Sequence, residues 1–224
     1  MKPKIDIRNL AIIAMLAALA YLTTFLAQGL PPLVPMPPLR YDPKDVIILI
    51  GGFLYGPLAV AAMSVAVSLL EMVSVSTTGP IGFVMNVIST CSFACVAALI
   101  YRYGPKKKTL AGAVIALLAG VASVVAVMLL WNYLITPIYT GAPREVVAGM
   151  LVPVFLPFNL LKASLNAALA MLVYKPLSTA LRKLRLIPDI APAKAGKINI
   201  GVVLASLFAA VTAVLLMLVF AGAI

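Results

Sequence analysis

Long apolar runs, rather than alternation, organise this chain. Residues 80–101, 110–130 and 198–224 each contain no charged side chain. A membrane-spanning helix needs about 20 apolar residues, so each run is long enough to span. Strands of a membrane barrel would alternate apolar and polar positions, and these runs do not. The pattern predicts seven helices, over about residues 8–28, 45–55, 58–75, 81–101, 109–135, 151–184 and 198–222. The second is short; at about 1.5 Å per residue it covers only about half of the hydrocarbon core.

Proline and glycine punctuate the runs. Five prolines between Pro31 and Pro38 bar a helix there and favour an extended path. Gly56-Pro57 breaks the second helix, and the proline suits the start of the third. Thr136-Pro137 is expected to end the fifth helix, with residues 138–149 as a loop. Pro153 and Pro157 fall in the first turns of the sixth. A Pro/Ala linker, 187–197, divides a substrate-binding membrane domain (1–186) from an added helix (198–224). The first run follows Lys2, Lys4 and Arg8, as a signal peptide would. It lacks a persuasive cleavage site and more apolar runs follow, so it is read as a retained helix.

Composition agrees with the pattern. Of 224 residues, 64% are hydrophobic and 10% charged, against about 45–50% and about 25% in soluble domains. This excludes a soluble globular enzyme and a disordered chain. It predicts an all-α integral membrane protein, multi-pass, in the cell membrane. The net charge of +11 would suit nucleic acid, but its placement argues otherwise. Thirteen of the 17 Lys and Arg fall in three clusters: before the first helix, around Lys106–Lys107–Lys108, and from Lys175 to Lys197. The positive-inside bias makes these cytoplasmic, beside anionic lipid, with the N-terminus inside. Arg40, Lys44 and Arg144 then lie outside, and no nucleic-acid partner is expected.

Polar residues within the apolar mass are functional candidates, because burying them is costly. They are Glu71, Asn86, Trp131-Asn132-Tyr133, Asn159, Lys162 and Asn166. Counted from the inner cations, Lys162, Asn132 and Asn86 lie roughly 30, 35 and 24 Å deep, in the outer half of the membrane. Asn159, Lys162 and Asn166 share one helical face by their three- and four-residue spacing. Amides and an ammonium there suit a heterocycle with carbonyls, or a polyol. Asn132 and Asn86 could join the same pocket, with Trp131, Tyr133 and Phe158 as walls. Each residue also has a plainer role. Lys162 could snorkel, the Asn residues could bridge helices, and Trp131 and Tyr133 fit an interfacial belt. Asn132, Asn159 and Lys162 taken together favour binding. Glu71 is read as close to the outer surface and solvated.

Helix 1 carries a small-residue surface that includes Ala14-x-x-x-Ala18, suited to close helix packing in lipid. With no His, and with Cys91 and Cys95 alone as thiols, neither a metal site nor any cofactor is expected. No G-x-x-x-x-G-K-[ST] loop and no catalytic motif occurs. The chain is thus expected not to be an enzyme, and uphill transport would need energy from elsewhere. The different-class alternative is a polytopic membrane enzyme or assembly subunit.

Several segments together resemble the substrate-binding S components of energy-coupling factor (ECF) vitamin transporters, of the riboflavin-specific type. They are the Ala14-x-x-x-Ala18 helix, YDPKDVIILIGGFLYGPLA from Tyr41, GPIGFVMN from Gly79, WNYLITPIY from Trp131 and FNLLKASLN from Phe158. The resemblance covers about residues 5–183. It implies a six-helix S-component bundle that captures riboflavin from outside, with the seventh helix as an addition. It implies ligand contacts from Asn132, Asn159 and Lys162, and further from Asn86. It also implies docking of the Ala14/Ala18 face on a transmembrane coupling subunit, energised by two cytoplasmic ATPases. Where riboflavin-type members carry an acidic residue and a Lys-Asn pair on the third helix, this chain has Ser64, Val67 and Ser68. Another vitamin or heterocyclic precursor is therefore the alternative ligand.

Overall fold

The computed structural model describes residues 7–29, 32, 39–106, 109–183 and 200–220, side chains at 175, 177–183, 202 and 220 excepted. Outside the described residues lie the proline run (Pro32 apart), the 187–197 linker, and the cations Lys2, Lys4, Lys107, Lys108, Arg185, Lys194 and Lys197.

Seven helical stretches are described. They are α1 (Ile7–Ala27), α2 (Lys44–Tyr55), α3 (Pro57–Ser74), α4 (Gly79–Tyr103), α5 (Leu110–Thr140), α6 and α7 (Ile200–Phe220). The helix α6 runs through Arg144–Met150, a π-turn at Leu151–Phe155, and Leu156–Lys183. A second π-turn, Cys91–Cys95, interrupts α4. Five stretches are long and apolar enough to cross a membrane: α1, α3, α4, α5 and Arg144–Tyr174 of α6. Their outer faces carry large exposed apolar side chains such as Leu58, Leu118 and Val152. Such faces need hydrocarbon around them.

The short helix α2 sits in the middle. It packs on α1, α3, α4 and α6, and nine of its twelve residues are buried. A helix apolar all round belongs in a core. Gly51 and Gly52 allow the close approach: a Cβ on Gly51 would stand 2.8 Å from the Met63 sulfur of α3, and one on Gly52 3.1 Å from the Ala98 Cβ of α4. At its C-terminal end Arg102 Nη1 donates to the Tyr55 carbonyl at 2.6 Å, a cation where the helix dipole is negative. Phe53, Tyr101 and Tyr174 close that end as an aromatic group. The polar end of α2, at Lys44, faces the opposite way and begins the candidate site.

Two sequence expectations change. Thr136-Pro137 does not end the fifth helix; α5 continues to Thr140 and stops at Gly141, whose φ of 71° caps it. Proline there removes one backbone donor within the last turns, where few bonds remain to lose. Residues 144–150 are helical rather than looped. Glu145 in the first turn complements the dipole, and the wider π-turn that follows takes up Pro153.

Candidate functional site

The site begins in the segment entering α2. Lys44 is 1% exposed, and such a charge is tolerated only when paired. Its ammonium forms ion pairs with Asp42 and with Glu71 Oε2, the latter at 2.8 Å. Asn86 Nδ2 donates to the same Glu71 oxygen at 2.8 Å. Asp42 also accepts from Thr24 Oγ1 of α1 at 2.8 Å, and Asp45 from Thr90 Oγ1 of α4 at 2.7 Å. Thus α1, α2, α3 and α4 are joined by one polar network. Burial raises the pKa of Asp42, but the Lys44 ammonium and, further off, that of Lys162 more than offset it, holding the carboxyl at about 2. Tyr41 is pushed above its ordinary value by burial and then by the charges of Asp45 and Asp42. Glu71 corrects the sequence reading: it is 2% exposed and ion-paired, not solvated.

Beside this network lies a small crevice lined by Asp45, Ser89, Phe93, Val124, Asn159, Lys162, Ala163 and Asn166. Its free space is about 10 Å³, room for about one water. The face of α6 supplies Asn159, Lys162 and Asn166, as their spacing predicts. Asn159 Nδ2 donates to the Phe155 carbonyl at 2.7 Å, within the π-turn stretch. Asn166 accepts from Tyr41 Oη at 2.7 Å and donates to the Asp42 carbonyl at 3.2 Å. That amide therefore pins the segment entering α2 onto α6. Lys162 forms no ion pair within 4 Å among the described residues, leaving its ammonium available to the crevice.

Asn132 and Asn86 are not part of this lining. Asn132 is buried and accepts from Thr136 Oγ1 at 3.0 Å, one turn along its own helix. Asn86 is engaged with Glu71. Tyr133 is exposed with the Arg144 guanidinium 5.5 Å from its ring centre, and Phe158 is buried outside the crevice lining. The aromatic residue of the lining is Phe93, which sequence reasoning passed over. It stands in the π-turn of α4, where one extra residue per turn re-aims the side chains. Asp45 was also missed. Its signal was its place in the quoted Tyr41–Ala59 segment, where it reads as an ordinary first-turn acid.

On the outside of α1 the small residues divide. Ala17 and Ala20 face the core, while Ala14 and Ala18 are exposed beside Leu10, Met15 and Leu22.

Comparison with known proteins adds to this geometry. A family model described as "ECF transporter, substrate-specific component" matches residues 8–174. The riboflavin transporter FmnP of Bacillus subtilis (strain 168) is 29% identical over 185 residues, covering 75% of this chain and 90% of that protein. The riboflavin transporter RibU of Staphylococcus aureus (strain TCH60) is 26% identical over 182 residues, covering 79% and 94%. A solved structure titled as that of the S component of a bacterial ECF transporter superposes with a TM-score of 0.64. It is 27% identical and covers 78% of this chain and 97% of its own.

Proposed function

The chain belongs to the substrate-specific components of ECF transporters, and from that premise we propose that it captures riboflavin from outside the cell. The observation that carries this reading is the polar face of α6. Asn159, Lys162 and Asn166 meet Asp45 and Phe93 across one crevice. A fused heterocycle with carbonyl and N–H groups needs amide and charged partners in its plane and an aromatic or apolar wall beside it. A polyol tail needs the same amides as donors and acceptors, and carboxylates as acceptors. The two relatives named above, both called riboflavin transporters, support this ligand. The crevice must open by far more than one water's volume to admit it, so binding is accompanied by rearrangement.

Asn132 and Asn86 act one layer further out in this reading: Asn132 braces the outer end of α5 and Asn86 holds Glu71. The N-terminus is cytoplasmic, so the Lys44 end of α2 faces outward. Residues 1–186 form the binding domain and 198–224 a helix added through the 187–197 linker. The chain has no nucleotide loop, so the energy comes from a coupling subunit and two cytoplasmic ATPases, with exposed Ala14 and Ala18 as the docking stripe. Another vitamin or a heterocyclic precursor is the second reading, favoured by Ser64, Val67 and Ser68 on α3.

Purified protein should bind riboflavin and quench its fluorescence, and a competition panel of small vitamins separates the two readings. Lys162→Ala and Asn159→Ala should each weaken binding by roughly 10–100-fold, the worth of a hydrogen bond to a charged or buried group. Unchanged affinity in both would remove the site assignment.

A further inference from the structure

The helix α7 lies beyond residue 174, where the family match ends. Among its described side chains the buried ones are Ala210, Ala213 and Met217. They are three and four residues apart and so form one stripe. This stripe packs with Leu165 and Ala168 of α6 in an apolar cluster separate from the main core. Alanines at such a seam let two helices approach closely in lipid.

The same cluster receives the ring of Tyr41, together with Leu161 and Leu169. Tyr41 thus has two attachments. Its ring lies against the α6–α7 cluster, and its hydroxyl donates to Asn166 in the crevice lining. Asn166 in turn holds the Asp42 carbonyl, beside the ion pair of Asp42 with Lys44. The chain of contacts runs from α7 through this shared cluster to Tyr41, and from Tyr41 to the wall of the candidate site.

We propose that α7 is a fixed brace: it completes the apolar seat of Tyr41, holds residues 41–43 over the Asn159–Lys162–Asn166 face, and sets how fast the ligand enters and leaves. Tyr41 is then a positioning residue. The kinetic half of this statement rests on the riboflavin reading above, whereas the brace itself does not.

Two measurements on the full chain separate them. The first is hydrogen–deuterium exchange of the backbone at residues 40–46 without ligand. Ala213→Leu forces extra volume into the seam and Met217→Ala empties it. Each should speed exchange there by about fivefold or more, since overpacking and emptied space both weaken the seam that local opening must break. Val211→Ala, on the exposed face of α7, should not. The second is stopped-flow riboflavin fluorescence. Both association and dissociation should quicken by about fivefold in Ala213→Leu and in Tyr41→Ala, with a smaller change in affinity, because a looser wall opens more often in either direction. Tyr41→Phe keeps the ring and should stay closer to wild type than Tyr41→Ala does. Exchange at 40–46 that is the same in wild type, Ala213→Leu and Met217→Ala overturns the brace. If wild type fails to bind riboflavin, the ligand reading fails and the exchange data still decide the brace.

Discussion

Replacing Lys44 by methionine keeps most of the side-chain volume and deletes its charge. In the folded protein Lys44 is 1% exposed and serves both Asp42 and Glu71. Without it, among the described residues, Glu71 Oε2 keeps only the Asn86 amide and Glu71 Oε1 accepts no hydrogen bond. Asp42 keeps the Thr24 hydroxyl and a 3.3 Å bond from the Lys44 backbone. Removing one partner of a buried pair leaves uncompensated charge and costs about 3–5 kcal/mol. An exposed pair would cost about 0.2–1 kcal/mol. Equilibrium unfolding in detergent micelles, followed by circular dichroism, reads the difference. A loss below about 1 kcal/mol would refute the buried-network reasoning.

The pH dependence sharpens the same test. Asp42 has a folded-state pKa depressed from 3.8 to about 2. A depressed carboxylate contributes stability that is present above its unfolded value and is lost as pH falls through the folded one. For Asp42 that window runs from about pH 4 down to about pH 2. Methionine at position 44 removes the main attraction that depresses this pKa. The gap between wild type and Lys44→Met should therefore be smaller at about pH 3 than at about pH 7. A constant gap would count against the pairing. Adding Glu71→Gln to Lys44→Met should recover part of the loss, because it removes one of the stranded charges.

The remaining expectations address other parts of the molecule. A Cβ on Gly120 of α5 would stand 2.7 Å from the Phe93 carbonyl, so Gly120→Ala should destabilise by about 1–3 kcal/mol in the same unfolding assay. It should also weaken riboflavin binding by displacing Phe93 from the crevice lining. Ala14→Trp and Ala18→Trp place a bulky ring on the exposed stripe of α1; each should abolish co-purification of a coupling subunit and ATPases while leaving riboflavin binding in the isolated protein unchanged. Retained co-purification in both would remove α1 as the docking face.

Spanning segments could be read from the sequence because hydrocarbon imposes a local rule. Every backbone polar group must be satisfied within its own helix, and side chains must be apolar over the whole span. The brevity of α2 followed in the same way, and so did the shared face of Asn159, Lys162 and Asn166, since spacing along one helix fixes direction. Tertiary structure decided what meets that face. Asp45 and Phe93 come from other helices, and no periodicity links them to Lys162. Lys44 and Asp42, read singly, are charges at a helix start, which usually lie in water. Only the wrapping of α1, α3, α4 and α6 around α2 takes them out of it and turns them into a network. Glu71 was misplaced for the same reason: burial is a property of neighbours, and its neighbours Lys44 and Asn86 are 27 and 15 residues away. The π-turn that aims Phe93 has no signal in composition, because it reflects a helix adjusting to the packing around it.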